Sequence, residues 1–304
     1  MVQLRTENRE LRTANWLTKD PTRREALQLL CFALSVPLSS FPKSFPMSSD
    51  DILTQPPPPA DARVPYGSDP NQFGDIRLPQ GKGPLPLLIN IHGGFWRAKY
   101  DLAHAGHFCA ALTAKGIASW NLEYRRVGNP GGGWPGTFDD IRSAYRFLPQ
   151  LAKRYSVDVN KVVVMGHSAG GQLALCLAAR EPSLKRVVSL AGVLDLQQAW
   201  DLHLSNNAVV EFLGGQPSDV PEHYREADPM QLSIDHATTQ WLIHGAADDV
   251  IPSYFSRNYA QQKKPKGEDV HYLEISTAGH YDLIDPRSQA WPRVQDTVRH
   301  LIGL

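Results

Sequence analysis

The chain has 304 residues, of which 42% are hydrophobic and 20% are charged, enough to build one large α/β domain or two smaller ones. Basic and acidic residues number 31 each, so the net charge is zero, which argues against a nucleic-acid partner and against electrostatic binding to a membrane surface. No uninterrupted apolar run reaches the roughly 20 residues that span a bilayer. The cysteines Cys31, Cys109 and Cys176 are far apart and show neither a disulfide framework nor a zinc-site spacing.

Residues 1–60 are expected to form a leader outside the packed domain. The apolar run 26–38 follows two arginines and has the outline of a signal peptide, but it contains a glutamine and a proline and begins far into the chain. We therefore expect a cytoplasmic protein, with secretion as the alternative if this run is a signal. Met47 is an alternative start, and residues 1–46 are expected to contribute neither core nor catalysis. Four prolines at 56–59 form an extended segment that ends the leader.

Strand-like apolar runs alternate with helical patterns through residues 61–304. The predicted strands are 86–91, 117–124, 161–165, 186–190, 239–244 and 270–275. Helices are predicted over 102–112, 138–151 and 291–301, where apolar residues recur at helical spacing. This alternation predicts an α/β fold with a mostly parallel sheet covered by helices on both faces. Residues 192–236 interrupt the rhythm and are predicted to be a small cap insertion, with an ordinary surface excursion as the alternative.

A strand-to-helix turn is predicted at Gly166-His167-Ser168-Ala169-Gly170. An apolar run precedes this pentapeptide and a helix-forming stretch follows it, which is the context that the G-x-S-x-G pattern requires. Ser168 would then stand at the carboxyl end of a strand, close to the free N–H groups of a helix. The pattern predicts that Ser168 is a nucleophile. The alternative is a glycine-rich turn without chemistry.

A serine nucleophile needs a base within hydrogen-bond reach and an acid that orients this base. In chains with this turn the acid and then the histidine follow the serine in sequence. Asp248 comes after the predicted strand 239–244, and His280 comes after the predicted strand 270–275. We therefore predict that His280 is the general base and that Asp248 orients it.

Other acids and histidines are weaker candidates. Asp249 is adjacent to Asp248 and remains an alternative that only geometry decides, and Asp195 is a distant second candidate. Asp139 and Asp140 are interpreted as residues that begin a helix, where acids are favoured by the helix dipole. His167, beside the nucleophile, is interpreted as structural.

An oxyanion hole is predicted where an early strand ends in Asn90-Ile91-His92-Gly93-Gly94-Phe95-Trp96. Glycines at this place can turn backbone N–H groups towards a reacting carbonyl. The predicted donors are the N–H groups of Gly94, Phe95 and Ala169. A tight glycine turn without this role is the alternative.

Aromatic residues are expected to line the substrate pocket. Phe95 and Trp96 follow the proposed donors, while Trp134 and Trp200 lie in loops that can approach the same end of the sheet. A bulky residue at position 95 narrows the space around the acyl carbonyl. The sequence therefore predicts a preference for short acyl groups, formyl to butyryl, with an aromatic leaving portion tolerated by stacking.

Taken together, these motifs resemble the α/β-hydrolase superfamily from about Val64 to the end of the chain. Within it, the segment 92–96 is similar to the His-Gly-Gly-x-Trp signature of kynurenine formamidases and related small esterases, and segments 66–70 and 75–76 are similar to their first strands. The chain departs from the three-glycine esterases because Phe95 replaces the third glycine.

The resemblance implies a serine hydrolase that acts on small-molecule esters or activated amides through an acyl-enzyme, without a metal or organic cofactor. A carboxylesterase for short acyl groups is the first interpretation, and an arylformamidase is the alternative. A peptidase and a non-catalytic ligand receptor on the same fold are the remaining readings, and the oligomeric state is left open.

Overall fold

The structure is a computed structural model that describes residues 51–81 and 83–304. Most of the predicted leader, including the apolar run 26–38, lies outside the described residues. Within residues 51–60, a short helix buries Ile52, and the carbonyl of Pro58 accepts a hydrogen bond of 2.8 Å from Arg77. These ten residues therefore already contact the packed part of the chain, while the division into leader and domain stays a prediction.

One eight-stranded sheet forms the centre of the fold. Its strands are β1 (Ala62–Pro65), β2 (Phe73–Arg77), β3 (Leu85–Ile91), β4 (Ala118–Leu122), β5 (Val157–His167), β6 (Arg186–Leu190), β7 (Thr239–Gly245) and β8 (Val270–Ile275). They are arranged in the order β1-β2-β4-β3-β5-β6-β7-β8. The β1–β2 and β2–β4 pairs are antiparallel and all others are parallel. The expectation of a mostly parallel sheet is confirmed.

Helices connect the strands and cover both faces of the sheet. They are α1 (Asp51–Thr54), α2 (Gly106–Thr113), α3 (Gly136–Arg146), α4 (Leu148–Tyr155), α5 (Ala169–Arg180), α6 (Leu196–Asp201), α7 (Leu204–Leu213), α8 (Pro221–Ala227), α9 (Tyr254–Lys263) and α10 (Trp291–Leu301), with single 3-10 turns at Leu102–Ala105, Lys264–Lys266 and Tyr281–Leu283. Within the ranges given above, no helix combines the length and the apolar character needed to cross a bilayer.

Alternate residues of the central strands enter two separate apolar clusters. In β5, Val162 and Val164 belong to the larger cluster, whereas Val163 and Met165 belong to the cluster on the opposite face. Successive side chains of a strand point to opposite faces, so a strand that is apolar throughout is buried on both sides. The continuous apolar runs in the sequence therefore correspond to the middle of the sheet.

Two features of the observed fold differ from the predicted elements. The antiparallel strands β1 and β2 are absent from the predicted set, because they are short and contain charged residues and a glycine at the edge of the sheet. The helix predicted over 138–151 is two helices, α3 and α4, which meet at Phe147. Pro149 follows this junction in the first turn of α4, where its missing N–H costs no helical hydrogen bond.

The predicted insertion contains three helices, α6, α7 and α8, between β6 and β7. Its two ends meet at a buried carboxyl group, since Asp228 accepts hydrogen bonds from the backbone N–H groups of Met230, Leu196 and Gln197. Burial raises the pKa of Asp228 to about 7, and the neighbouring Asp195 carboxylate adds to the increase. The role of the insertion as a cap stays a prediction.

This carboxyl group makes the stability of the fold depend on pH. The folded protein holds the Asp228 proton up to about pH 7, whereas an unfolded chain releases it near pH 4. Between these values the folded state binds more protons, so its stability falls as the pH rises. We expect the stability of Asp228→Asn relative to the wild type to improve by roughly 4 kcal/mol from pH 4 to pH 8.

Urea denaturation at pH 4, 6 and 8 measures this difference, with the exposed Asp296→Asn as the matched control. If the free energy of unfolding of Asp228→Asn differed from that of the wild type by the same amount at all three pH values, the raised pKa of Asp228 would be contradicted.

Candidate active site

Ser168 stands on a strained turn between β5 and α5. Its backbone has φ 56° and ψ −121°, in the region of positive φ that only glycine enters at low cost. Flanking glycines make the turn possible, since a Cβ atom on Gly166 would lie 2.0 Å from the carbonyl oxygen of Gly170. The Ser168 N–H donates to the carbonyl of Leu190 at 2.8 Å. Such strain is retained where the surroundings fix the residue, and it is concentrated at functional sites.

The structure brings Asp248 and His280 together. Asp248 follows β7 and His280 follows β8, and these parallel strands are neighbours, so both loops lie at the same edge of the sheet. Nδ1 of His280 donates to Oδ2 of Asp248 at 2.7 Å, and both side chains are almost fully buried. This bond fixes the imidazole ring and leaves Nε2 as the ring nitrogen that can take up a proton.

The side chain of Asp248 is fully buried, and several hydrogen-bond donors surround its carboxylate. Its Oδ1 accepts from the backbone N–H groups of Val250 and Ile251 at 2.9 and 2.8 Å, and Nε2 of His244 lies 3.3 Å from Oδ2. Burial alone would raise the pKa of Asp248, but the bonds from His244 and His280 outweigh it and hold that pKa well below the usual range. Asp248 is thus a permanent carboxylate facing His280.

The alternative acids lie elsewhere. Asp249 is exposed, and Asp195 caps α6 by accepting from the N–H of Gln198 at 2.8 Å. Asp139 is exposed in the first turn of α3, as interpreted from the sequence. Asp140 corrects that interpretation, because its buried carboxylate is bound by the Arg125 guanidinium at 2.5 and 2.8 Å.

Ser168 and His280 are linked through His167, the last residue of β5. Nε2 of His167 lies 2.9 Å from the carbonyl oxygen of His280, and the two imidazole centroids are 4.5 Å apart. Since His167 immediately precedes Ser168, the nucleophile candidate lies beside the histidine loop. The structure therefore brings Ser168, Asp248 and His280 to one end of the sheet.

The predicted oxyanion loop lies against the same turn. A Cβ atom on Gly93 would lie 3.0 Å from Cβ of Ser168, so the loop passes the serine at close range. Gly94, Phe95 and Trp96 have positive φ values of 110°, 49° and 57°, which orient their peptide groups unlike those of a strand. Among the described residues, the N–H groups of Gly94, Phe95 and Ala169 donate to no other protein group. Free donors at this place can stabilise a developing oxyanion.

Trp96 does not line a substrate pocket, contrary to the prediction from the sequence. Its side chain is 1% exposed and stacks on Phe212 of α7 at a centroid distance of 4.4 Å. Its indole N–H donates to Gln172 of α5 at 3.0 Å. A large flat side chain with one donor is well satisfied in this interior position, so Trp96 belongs to the core. Phe95, Trp134 and Trp200 are half-buried.

The insertion also contacts the predicted oxyanion loop. The Arg97 guanidinium makes two bonds of 2.8 Å to the carboxylate of Glu211 and two more to Ser205. The side-chain amide of Gln172, which receives the Trp96 N–H, also donates to the carbonyl of Ala227 at 2.7 Å. Two consecutive loop residues, Trp96 and Arg97, are therefore fastened to the insertion helices.

Other buried residues near the site have no role in the sequence prediction. His92 at 3.1 Å and Arg126 at 2.9 Å both contact the buried carboxylate of Glu123, which also accepts from the N–H of Leu102. His244 contacts Asp248, as described above. His92 and Glu123 are 31 residues apart, so the sequence pattern carries no signal for their contact beyond the position of His92 at a strand end. Arg126–Glu123 and His244–Asp248 are three and four residues apart, but these spacings alone do not indicate a contact between loop residues.

Comparison with known proteins supports the fold and the family. The chain matches the BD-FAE family over residues 75–262, more than half of its length. Esterase LipC of Mycobacterium tuberculosis is 29% identical over 247 residues, which cover 73% of this chain and 60% of that protein. Versiconal hemiacetal acetate esterase of Dothistroma septosporum is 26% identical over 219 residues, 66% of this chain and 63% of that protein. The chain thus spans less than two thirds of the length of these relatives.

Solved structures share the architecture at low sequence identity. A truncated carbohydrate esterase from gut microbiota superposes with a TM-score of 0.69 and 22% identity, covering 81% of this chain and 99% of that one. The thermophilic esterase Est2 of Thermogutta terrifontis, with propionate bound, gives a TM-score of 0.64 and 21% identity over 80% of this chain and 93% of that one. The chain belongs to the BD-FAE family, and its fold is the α/β-hydrolase fold.

Proposed function

We propose that this protein is a serine hydrolase that cleaves small-molecule carboxylic esters through an acyl-enzyme. The observation that carries the proposal is the 2.7 Å bond between His280 and the buried Asp248 carboxylate, beside a serine on a strained strand-to-helix turn. A permanent carboxylate stabilises the imidazolium that forms when the histidine removes a proton. The arrangement therefore supplies the oriented general base that a serine hydroxyl needs in order to act as a nucleophile.

The proposed reaction has two halves. Oγ of Ser168 attacks the ester carbonyl while Nε2 of His280 takes up the hydroxyl proton, and the same proton then passes to the departing alkoxide as the C–O bond breaks. Water repeats the sequence on the acyl-enzyme, so that the acid leaves and Ser168 recovers its proton. In both halves the N–H groups of Gly94, Phe95 and Ala169 receive the oxyanion, and one such donor is typically worth about 2.7–4 kcal/mol.

The names of the relatives support an ester as the substrate. LipC is named an esterase, and the Dothistroma protein is named an acetate esterase. An acetate is a short acyl group, in agreement with the preference expected from Phe95. The arylformamidase alternative stays a prediction, and formylkynurenine belongs in the substrate panel for that reason.

Ser168→Ala removes the nucleophile in this scheme. We expect kcat for p-nitrophenyl acetate to fall by at least about 10⁴-fold, and labelling by a fluorophosphonate probe to disappear. Substitution of the exposed Ser218 by alanine serves as the control. A Ser168→Ala protein that is still labelled and still hydrolyses the ester near the wild-type rate would refute the mechanism.

Asp248→Asn and Asp249→Asn separate the two adjacent acids. Loss of the carboxylate that orients the histidine typically lowers kcat by about 10⁴-fold, whereas the exposed Asp249 should affect kcat by less than about threefold. Steady-state kinetics on the pair decides the assignment. A larger loss in Asp249→Asn than in Asp248→Asn would reverse it.

The acyl preference is tested with aryl esters from acetate to dodecanoate. We expect kcat/KM to be highest between acetate and butyrate, because Phe95 occupies space beside the proposed oxyanion donors. Each methylene contributes only about 1–3 kcal/mol in a fitting pocket, so the decline should be graded. Phe95→Ala should move the maximum to longer chains.

A wild-type maximum at octanoate or beyond would contradict the short-acyl preference. Efficient turnover of formylkynurenine relative to acetate would instead favour the arylformamidase.

A further inference from the structure

Three buried histidines form a continuous contact from the 3-10 turn Leu102–Ala105 to the histidine loop. Nε2 of His104 lies 2.8 Å from Nδ1 of His167, and Nε2 of His167 lies 2.9 Å from the carbonyl oxygen of His280. His104, His167 and His280 are at most 9% exposed. The mechanism described above uses only the ring of His280 and leaves this contact unexplained.

The hydrogen-bond partners fix the tautomer of each ring. A carbonyl oxygen only accepts, so His167 carries its proton on Nε2 and donates it to the His280 carbonyl. Nδ1 of the neutral His167 is then bare and must accept, which places the proton of His104 on Nε2. The remaining nitrogen, Nδ1 of His104, is buried and has no hydrogen-bond partner among the described residues. One arrangement of protons therefore satisfies both contacts.

We propose that His167 and His104 are positioning residues for the hydrolytic reaction, which hold the backbone of His280 at a fixed distance from Ser168. His167 is covalently adjacent to Ser168, so its bond to the His280 carbonyl joins the nucleophile turn to the loop of the base. His104 acts one step further out, because its donated proton prevents His167 from adopting the tautomer that would break this bond. This inference rests on the proposed function.

The two attachments of His280 act on different parts of the residue. Asp248 orients the ring through Nδ1, while His167 holds the main chain through the carbonyl. Without the second attachment the ring keeps its partner but its Nε2 shifts relative to Ser168, and a displacement of about 1 Å can lower a rate about 10²-fold. Neither positioning residue needs to touch the substrate, so the loss should appear in kcat and leave KM nearly unchanged.

Burial keeps the chain of contacts neutral. It lowers the pKa of His104 to about 3, with the nearby His92 and His280 adding to the effect, and the Tyr281 ring packs 6.2 Å away. It likewise lowers the pKa of His167 well below the ordinary value. The charges of His280 and His104 add to the decrease, while the bond to the His280 carbonyl and the Asp248 carboxylate oppose it without cancelling it. Both rings therefore keep the single-proton form on which the bond to His280 depends.

The test compares His104→Leu with His104→Gln in the full-length protein. The Gln side-chain amide can place an N–H near the position of the His104 Nε2, whereas leucine offers no donor. We expect His104→Leu to lower kcat for p-nitrophenyl acetate by about 10- to 100-fold with KM within twofold. His104→Gln should recover kcat to within about threefold of the wild type, and fluorophosphonate labelling rates should follow kcat. The exposed His300→Leu is the matched control.

Several outcomes would overturn the proposal. These are a His104→Leu enzyme within threefold of the wild-type kcat, equal losses in the Leu and Gln variants, or a change confined to KM. If His104→Leu does not fold, nitrogen-15 NMR of histidine-labelled wild-type protein decides, because a proton on Nδ1 of His167 excludes the bond to His280. Failure of the proposed function itself is recognised separately, since it would leave Ser168→Ala active or the wild type inactive.

Discussion

The candidate active site depends on two glycines, Gly166 and Gly170, at the point where the first turn of α5 packs against the sheet. A Cβ atom on Gly170 would lie 2.1 Å from the carbonyl oxygen of Ile91, the last residue of β3, and one on Gly166 would meet the Gly170 carbonyl. Only glycine permits backbone to approach backbone this closely. The chain that continues from Ile91 is the predicted oxyanion loop, so this close contact helps to set the distance between that loop and Ser168.

Buried charge maintains the geometry around this contact. Asp248 and Glu123 are both enclosed in the protein, and each is surrounded by histidine and backbone donors, with Arg126 added at Glu123. Burial of a carboxylate is unfavourable unless such donors surround it. The loops that provide the donors are therefore held in place, since moving any one of them would expose an unpaired charge to an apolar interior.

Much of the parallel sheet was predictable from the sequence. The bounds of β6, β8 and α10 agree with the predicted elements, because each is a continuous or periodic apolar segment whose local pattern matches its burial. The loops carrying Asp248 and His280 were predictable for the same reason, as each follows a readable strand. Their catalytic roles remain proposals.

Contacts between distant segments were not predictable. The sequence places Asp140 at the start of a helix, but the structure shows that Arg125 binds its carboxylate. The sequence also predicts that Trp96 lines the pocket, but its ring is covered by Phe212. Both outcomes depend on how helices pack on the sheet, which no local pattern specifies. Within the bounds of α7, Ser205–Asn207 have positive φ values and are not helical. Ser205 is bound by Arg97, 108 residues away, which the local sequence does not indicate.

The fastening of Trp96 and Arg97 to the insertion has a consequence for how this fold diversifies. One fold can carry many different functions through changes in the segments that surround its site. Here Phe212, Glu211 and the Ala227 carbonyl also hold the loop that would receive the oxyanion. A transplanted insertion would have to reproduce these three attachments, because losing them would also release the loop that would receive the oxyanion.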